Sequence, residues 1–476
     1  MTYKTYKTYT HRLLPPGNGV RSVETHAESQ MNYIPHTDSE REEMLAAIGV
    51  KSLDDLFSHL PDNVRCQEFA LPTGLGEMDV QTELGRLAKR NQSTADLICF
   101  LGAGAYDHYI PSAVFELASR GELYTAYTPY QPEISQGVLQ LIYEYQSMMA
   151  SLTGLDVANA SLYEGGTALV EACLMAIRQT NRDSIVLDGA LHPHYIETVK
   201  TSLAAMNIEV RVVPEPNQAY QSPMTELSWA ADEKTACAAV GYPNFHGAIG
   251  DLSAMAKVIH KAGALLVATT NPFSLGLLKP PGEMGADLVC GEAQSLGVPL
   301  QFGGPYLGYV ACTKALVRRL PGRLVGQTVD AQGRRSFALT LQAREQHIRR
   351  ERATSNICSN EALCAIMAHF YMSCLGRAGL RRAGELCVAK ADLLRRKLQG
   401  VPSVAAVPDY PVFNEFVYET KEPATKVLDR LLKAGILGGL DLGKYDSDRD
   451  HEILVCVTEK RTEEEIEKYV KGLEEK

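Results

Sequence analysis

The sequence predicts an α/β protein, with a large domain of mainly parallel sheet between helices and a smaller C-terminal α+β domain. Two observations carry this reading. Short apolar runs bounded by turn residues recur at 158–163, 184–188, 208–213, 235–241 and 264–268, as buried strands do. Between them lie longer amphipathic stretches at 167–178, 193–206 and 253–262, and strands alternating with such helices make βαβ units.

Residues 1–30 stand apart from this pattern. Thr2-Tyr3-Lys4 recurs as Thr5-Tyr6-Lys7, a Pro/Gly-rich stretch follows, and nothing resembles an apolar signal core. The segment reads as a disordered extension, with Met31 a candidate start. Residues 31–94 read as a helical arm. Within it, Thr37-Asp38-Ser39-Glu40 has the form of a capping box, helical patterning follows to about residue 60, and 81–91 reads as a second helix. The large domain is placed at 95–346 and the small one at 347–476. The small domain opens on a long helical span from about residue 349. Strand candidates follow at 412–418 and 453–457, and a charged helix closes it at 462–473.

Composition removes several classes. With 45% hydrophobic and 22% charged residues over 476 positions, the chain has the balance of a globular protein with a large core. A net charge of -10 argues against a nucleic-acid footprint. No unbroken apolar run reaches the ~18 residues that would span a bilayer. Eleven cysteines are dispersed with no C-x-x-C pair, which reads as reduced thiols in a cytoplasmic compartment. His192-Pro193-His194 is not completed into a metal set by any cluster of Cys, His or acids.

Three stretches carry local signals. Ser161-Leu162-Tyr163-Glu164-Gly165-Gly166-Thr167 joins a strand to a helix, and Gly165, Gly166 and Thr167 are a candidate anion site at the helix N-terminus. A tight turn explains the glycines equally well. Tyr124 to Glu133 packs three tyrosines around Pro129 and Pro132, which forbid a helix and make a constrained loop. That loop is either structural or a rigid aromatic lining for a ligand or partner. Gln301-Phe302-Gly303-Gly304-Pro305, following the glycines from Gly291, implies either close backbone approach or a turn.

Together these segments resemble the P-protein of the glycine cleavage system, in the N-terminal subunit form of a two-subunit enzyme. The likeness spans about 36–470. It rests on Tyr127-Thr128-Pro129-Tyr130-Gln131-Pro132-Glu133-Ile134-Ser135-Gln136-Gly137, Leu275 through Gly282, Phe302-Gly303-Gly304-Pro305, Leu341 through Gln346 and Thr354-Ser355-Asn356-Ile357-Cys358. The resemblance implies a fold-type I PLP-enzyme architecture. It implies decarboxylation of glycine, with the aminomethyl group passed to the lipoyl group of the H-protein, and a heterotetramer formed with a PLP-binding subunit 2.

PLP chemistry of this kind requires a Schiff-base lysine and an acid against the pyridine nitrogen. Aligned on the family's pattern, the lysine position falls on Gln294 or Ser295, and the nearest lysines are Lys279 and Lys314. The strand at 264–268 should deliver the acid, yet 264–281 holds no Asp or Glu. The chain is therefore expected to carry no catalytic lysine and to leave PLP to its partner. Tyr127, Tyr130, Gln131, Glu133, Ser135 and Gln136 are expected to reach an active site at the subunit interface, with Thr354, Ser355 and Asn356 as a second set. The alternative is a non-catalytic scaffold or regulatory subunit of the same complex.

Overall fold

The computed structural model describes residues 35–66, 71, 74–214, 220, 222, 224–353 and 355–474. The expectations for 1–30 and for Thr354 fall outside these residues. The chain forms two units, Met1–Ala88 and Lys89–Lys476.

In the first unit, the hydroxyl of Thr37 accepts the Glu40 N–H at 3.3 Å and the Glu40 carboxylate accepts the Thr37 N–H at 2.7 Å. This reciprocal cap starts the helix Asp38–Ile48, which Gly49 ends at φ 86. The second helix is Glu77–Ala88, about one turn earlier than the apolar spacing suggested.

The second unit begins with a two-residue strand, β1 (Ile98–Cys99). A seven-stranded sheet follows from β2 (Val157–Ala158), β3 (Ser184–Asp188), β4 (Glu209–Val213), β5 (Thr235–Gly241), β6 (Leu265–Thr269), β7 (Leu288–Glu292) and β8 (Gly308–Cys312). Its order is β2-β8-β7-β6-β5-β3-β4. The pairs from β7 through β4 are parallel, and β8 is antiparallel to both β7 and β2. Helices Gly165–Thr180, Pro193–Ala204 and Leu252–Lys261 make crossovers. Side chains alternate between two cores: Val186, Ala238, Val240, Leu266 and Ala268 face one, while Ile185, Leu187, Cys237, Ala239 and Val267 face the other. Burial on both faces is why these strands read as unbroken apolar runs.

The run at 158–163 is a correction. Only Val157–Ala158 forms a strand. Beyond it Asn159 N–H bonds Val310 O at 3.0 Å, Ala160 N–H turns to Arg323 O at 3.1 Å, and Leu162 returns as an isolated bridge to Gly308. The segment changes partners as it approaches the helix, so it cannot continue one ladder.

A hairpin, β9 (Val325–Val329) and β10 (Arg335–Leu339), leads to the helix Ala362–Leu398, which is interrupted at Gly376 (φ 59). By length and composition this helix is long and apolar enough to cross a membrane, but Cys364, Ala365, Ala368, Tyr371 and Met372 lie in the first core. The C-terminal sheet has the order β11-β12-β15-β14, from β11 (Val404–Ala406), β12 (Glu415–Thr420), β14 (Leu440–Asp441) and β15 (Glu452–Cys456). One more short strand, β13 (Ile436–Leu437), pairs with β1 in parallel. Residues 98–100 thus pack with the C-terminal core although they precede the large sheet.

Candidate functional site

The carboxyl ends of β5, β6 and β7 open onto a cavity of about 70 Å³, where ligands of open parallel sheets bind. Gly241, Thr269, Asn271 and Glu292 line it from the strand ends, His192 and Tyr195 from the crossover helix, and Tyr106 and Glu415 from above. Small-molecule pockets commonly enclose roughly 300 Å³ or more. This one has room for a few waters.

Gln294 follows β7 and is 2% exposed. Its Oε1 accepts the Tyr106 N–H at 2.8 Å, and its Nε2 donates to Tyr106 O at 3.1 Å and to Val298 O at 2.7 Å. The side chain pairs with Tyr106 as a neighbouring peptide would. Ser295, equally buried, donates to Asn271 Oδ1 at 2.6 Å. Neither position carries an amine, and each side chain is committed to a structural bond.

The amides of Gly165, Gly166 and Thr167 do converge at the N-terminus of Gly165–Thr180, as the glycines suggested. Each already meets a carboxylate of this chain. Gly165 N–H donates to Glu292 Oε2 at 3.1 Å, Gly166 N–H to Glu164 Oε2 at 2.5 Å, and Thr167 N–H to Glu164 Oε1 at 2.8 Å. Tyr195 covers the turn, its hydroxyl 2.0 Å from where a Cβ on Gly165 would stand, so only glycine fits there. An anion occupies the helix terminus, and that anion is the protein's own.

Burial pushes the Glu292 carboxyl up to about 8, against the donors Leu307, Gln294 and Gly165, with Glu164 raising it further. Burial likewise raises Glu415 to about 7, opposed by Tyr106 and Ala103, and lowers His192 to about 4. Burial thus favours the uncharged form of all three groups. No acid stands on or just after β6, where Thr269, Thr270 and Asn271 line the cavity. The residues present do not fit PLP: the amine, the acid and the open phosphate cradle are each replaced.

Behind Tyr106 lies a hydrogen-bonded cluster. Glu459 takes His108 Nδ1 at 2.6 Å, the Tyr109 N–H at 2.7 Å and the Cys387 thiol at 3.5 Å. Burial opposes its charge, but His108 wins and holds the Glu459 carboxyl down at about 2.

The aromatic loop lies elsewhere on this unit. Tyr127 is 78% and Ile134 is 79% exposed, and Gln131 and Glu133 are exposed as well. Tyr130 projects its ring outward but takes an Arg323 guanidinium N–H at 2.8 Å on its hydroxyl. Ser135 precedes the helix Gln136–Thr153 without a side-chain cap. Gln136 turns inward: its amide takes the Phe337 N–H at 2.9 Å and donates to Phe337 O at 2.8 Å. Ser355 is also tied inward, to Glu171 at 2.8 Å, while Asn356 is exposed. The Thr128 hydroxyl bonds Ser359, so the structure brings the loop against the segment around Ser355. Sequence reading missed Glu164, Glu415 and Arg323. An acid immediately before Gly-Gly at a helix start was the available signal for Glu164; nothing local marks the other two.

Comparison with known proteins places the chain. The family model for the glycine cleavage system P-protein matches residues 31–473. The chain is 52% identical over 441 residues to a probable glycine dehydrogenase (decarboxylating) subunit 1 of Desulforamulus reducens, covering 92% of this chain and 98% of that protein. It is 46% identical to a protein of the same name from Thermomicrobium roseum, over 94% and 99% of the two chains. A crystal structure of glycine decarboxylase (P-protein) of the glycine cleavage system, in inhibitor-bound form, superposes at TM-score 0.85 with 43% identity, covering 93% and 99%. A sphingosine-1-phosphate lyase of Burkholderia pseudomallei, at TM-score 0.62 and 14% identity, shares the fold alone.

The fold is therefore that of the fold-type I PLP enzymes. The chain belongs to the glycine cleavage system P-protein family, as subunit 1 of the two-subunit glycine dehydrogenase (decarboxylating).

Proposed function

We propose that this subunit holds no PLP, and that the cofactor sits on subunit 2 at an interface that this chain helps to close. The observation that carries the reading is the double replacement around β7. Gln294 and Ser295 are buried and bonded where a lysine would be needed, and Glu164 and Glu292 cap the amides that would otherwise receive a phosphate. Bound on the partner, PLP supplies the electron sink for loss of carbon dioxide from glycine. This chain's contribution is a shaped wall that orients substrate and excludes water. Tyr127, Tyr130, Gln131 and Glu133 carry it, with Asn356 beside them. Gln136 and Ser355 hold that wall in place, Ser135 leads from it into the helix behind, and Thr354 belongs to the same segment as Ser355.

The lipoyl group of the H-protein is the acceptor we expect for the aminomethyl group. A heterotetramer is the assembly we expect. We place it in the cytoplasm, where the eleven thiols stay reduced.

Glycine-dependent carbon dioxide exchange tests the reading, assayed with this chain alone, subunit 2 alone, and both mixed. Exchange only in the mixture is the expected result. Full exchange by subunit 2 alone would leave this chain a scaffold or regulatory subunit.

A further inference from the structure

Arg323 stands out once the loop is described, because it is buried, charged, and shared by both segments that face the proposed interface. It is 4% exposed. One terminal nitrogen donates to Tyr130 Oη at 2.8 Å and approaches Cys358 Sγ at 3.1 Å. The other pairs with the Glu345 carboxylate, equally buried. The guanidinium carbon lies 5.2 Å from the Tyr130 ring centre, and the His347 ring packs on it in a T-shape, centroids 5.7 Å apart. The Arg323 carbonyl accepts the Ala160 N–H at 3.1 Å, which ties the arginine to the end of β2.

A buried ion pair is a weak source of stability, since desolvation offsets most of its attraction. A planar guanidinium, however, bonds in fixed directions. Here those directions lead from the rigid sheet to a half-exposed phenol on an otherwise exposed loop. Tyr127 and Ile134 have no comparable anchor. Arg323, the Thr128–Ser359 bond and the Gln136 amide on Pro132 O are polar ties that fix where this stretch of loop points.

We propose that Arg323 is a positioning residue for the glycine dehydrogenase reaction, acting in trans by setting the direction of Tyr130 at the partner's active site. The inference rests on the reading that the aromatic loop enters that site. Orientation at this level governs turnover more than ground-state binding, because small misplacements are costly in the transition state. The signature is therefore a fall in kcat with little change in the KM for glycine.

The test uses the assembled two-subunit enzyme, with assembly checked by size exclusion. Arg323→Lys keeps the charge and loses the fork, and Tyr130→Phe leaves the Arg323–Glu345 pair untouched and removes only the acceptor hydroxyl. Each is expected to lower kcat by about tenfold or more, the range for a hydrogen bond to a charged group. Combined, they should lower it no further than the stronger one alone, because both break one bond. Additive losses, or unchanged kcat in both single variants, overturn the inference. Tyr130→Ala separates the two levels. If it lowers kcat while Arg323→Lys and Tyr130→Phe do not, the loop reading stands and the role of Arg323 falls. If it too is silent, both fall.

Discussion

Gly165 N–H donates to Glu292 Oε2 at 3.1 Å, joining the first residue of the long crossover helix to the last residue of β7. Beside it Glu164 takes the next two amides. A helix N-terminus carries roughly half a positive charge and favours an anion. Here the acceptors are built in: Glu164 takes two of the amides and Glu292, whose carboxyl burial raises to about 8, takes the third. An incoming phosphate would find these amides already taken, and Tyr195 covers the glycine.

Removing the cap should expose the terminus. Glu164→Ala is expected to cost about 1 kcal/mol, as loss of a helix cap does. It should also make the protein responsive to inorganic phosphate, with thermal unfolding shifting upward as phosphate is added at constant ionic strength. The parent chain should show no such shift. A parent that responds as strongly as the variant would mean that the terminus is open despite Glu164.

Glu415 should make stability depend on pH in a defined direction. Its folded carboxyl is raised to about 7 from the ordinary 4.5, first by burial. Between those values the folded chain keeps a proton that the unfolded chain has lost. Stability therefore falls as pH rises through the window, is fully retained below 4.5, and levels off above 7. Glu292 adds the same sign up to about 8. Glu459, held down at about 2, has the opposite sign, and its contribution is lost only as pH falls below 4.5. Glu415→Gln mimics the neutral acid well: its oxygen can accept the Ala103 N–H and its amide can donate to Tyr106 Oη, in place of the present bonds at 2.6 Å. Urea unfolding at about pH 5 and about pH 7.5 should show the variant losing less stability than the parent across the interval. Identical losses would contradict the assignment.

Gln136 separates anchoring from contact within the aromatic loop. Its amide closes a peptide-like pair with Phe337 on β10 and also donates to Pro132 O at 2.7 Å. Gln136→Ala leaves these backbone groups without partners, which costs about 1–3 kcal/mol. Turnover of the assembled enzyme should fall because the loop loses its footing. Gln136→Glu keeps one acceptor and should recover part of the stability, measured by thermal unfolding. Equal stability of Gln136→Ala and the parent would count against an anchoring role.

The central strands were legible because each lies in a single environment: β3 and β5 are buried along their whole length, and apolar runs report that directly. The two-residue strand β2 was not, because Asn159 and Ala160 bond to different neighbours, a property of tertiary position. The glycines near β7 divide in the same way. A Cβ on Gly291 would meet Thr270 O at 2.2 Å and one on Gly297 the Tyr371 Cβ at 2.6 Å, so those two mark close approach. Gly303 has open space and φ 107, so it marks a turn. That neither 294 nor 295 is a lysine can be read directly from the sequence. That Glu292 takes the Gly165 amide could not, because it reaches that amide across 127 residues.

Restoring a lysine should fail to restore the chemistry. Gln294 accepts one hydrogen bond and donates two, whereas a lysine has donors only. Gln294→Lys therefore strands the Tyr106 N–H, at a cost of about 1–3 kcal/mol, and buries an ammonium that must give up its proton or find a counter-charge. Ser295→Lys places a long side chain where Ser295 is 2% exposed and bonded to Asn271, which forces the core apart. In both variants Glu164 still faces the phosphate position, and β6 still ends in Thr269-Thr270-Asn271 without an acid for the pyridine nitrogen. Both variants should melt below the parent. After exposure to PLP and borohydride, peptide mapping should find no stoichiometric phosphopyridoxyl-lysine at 294 or 295. Without subunit 2, neither variant should exchange carbon dioxide with glycine. Stoichiometric labelling at residue 294 with measurable exchange by the single variant alone would show that the cavity beside β7 still accepts the cofactor, and that the lysine was all it lacked.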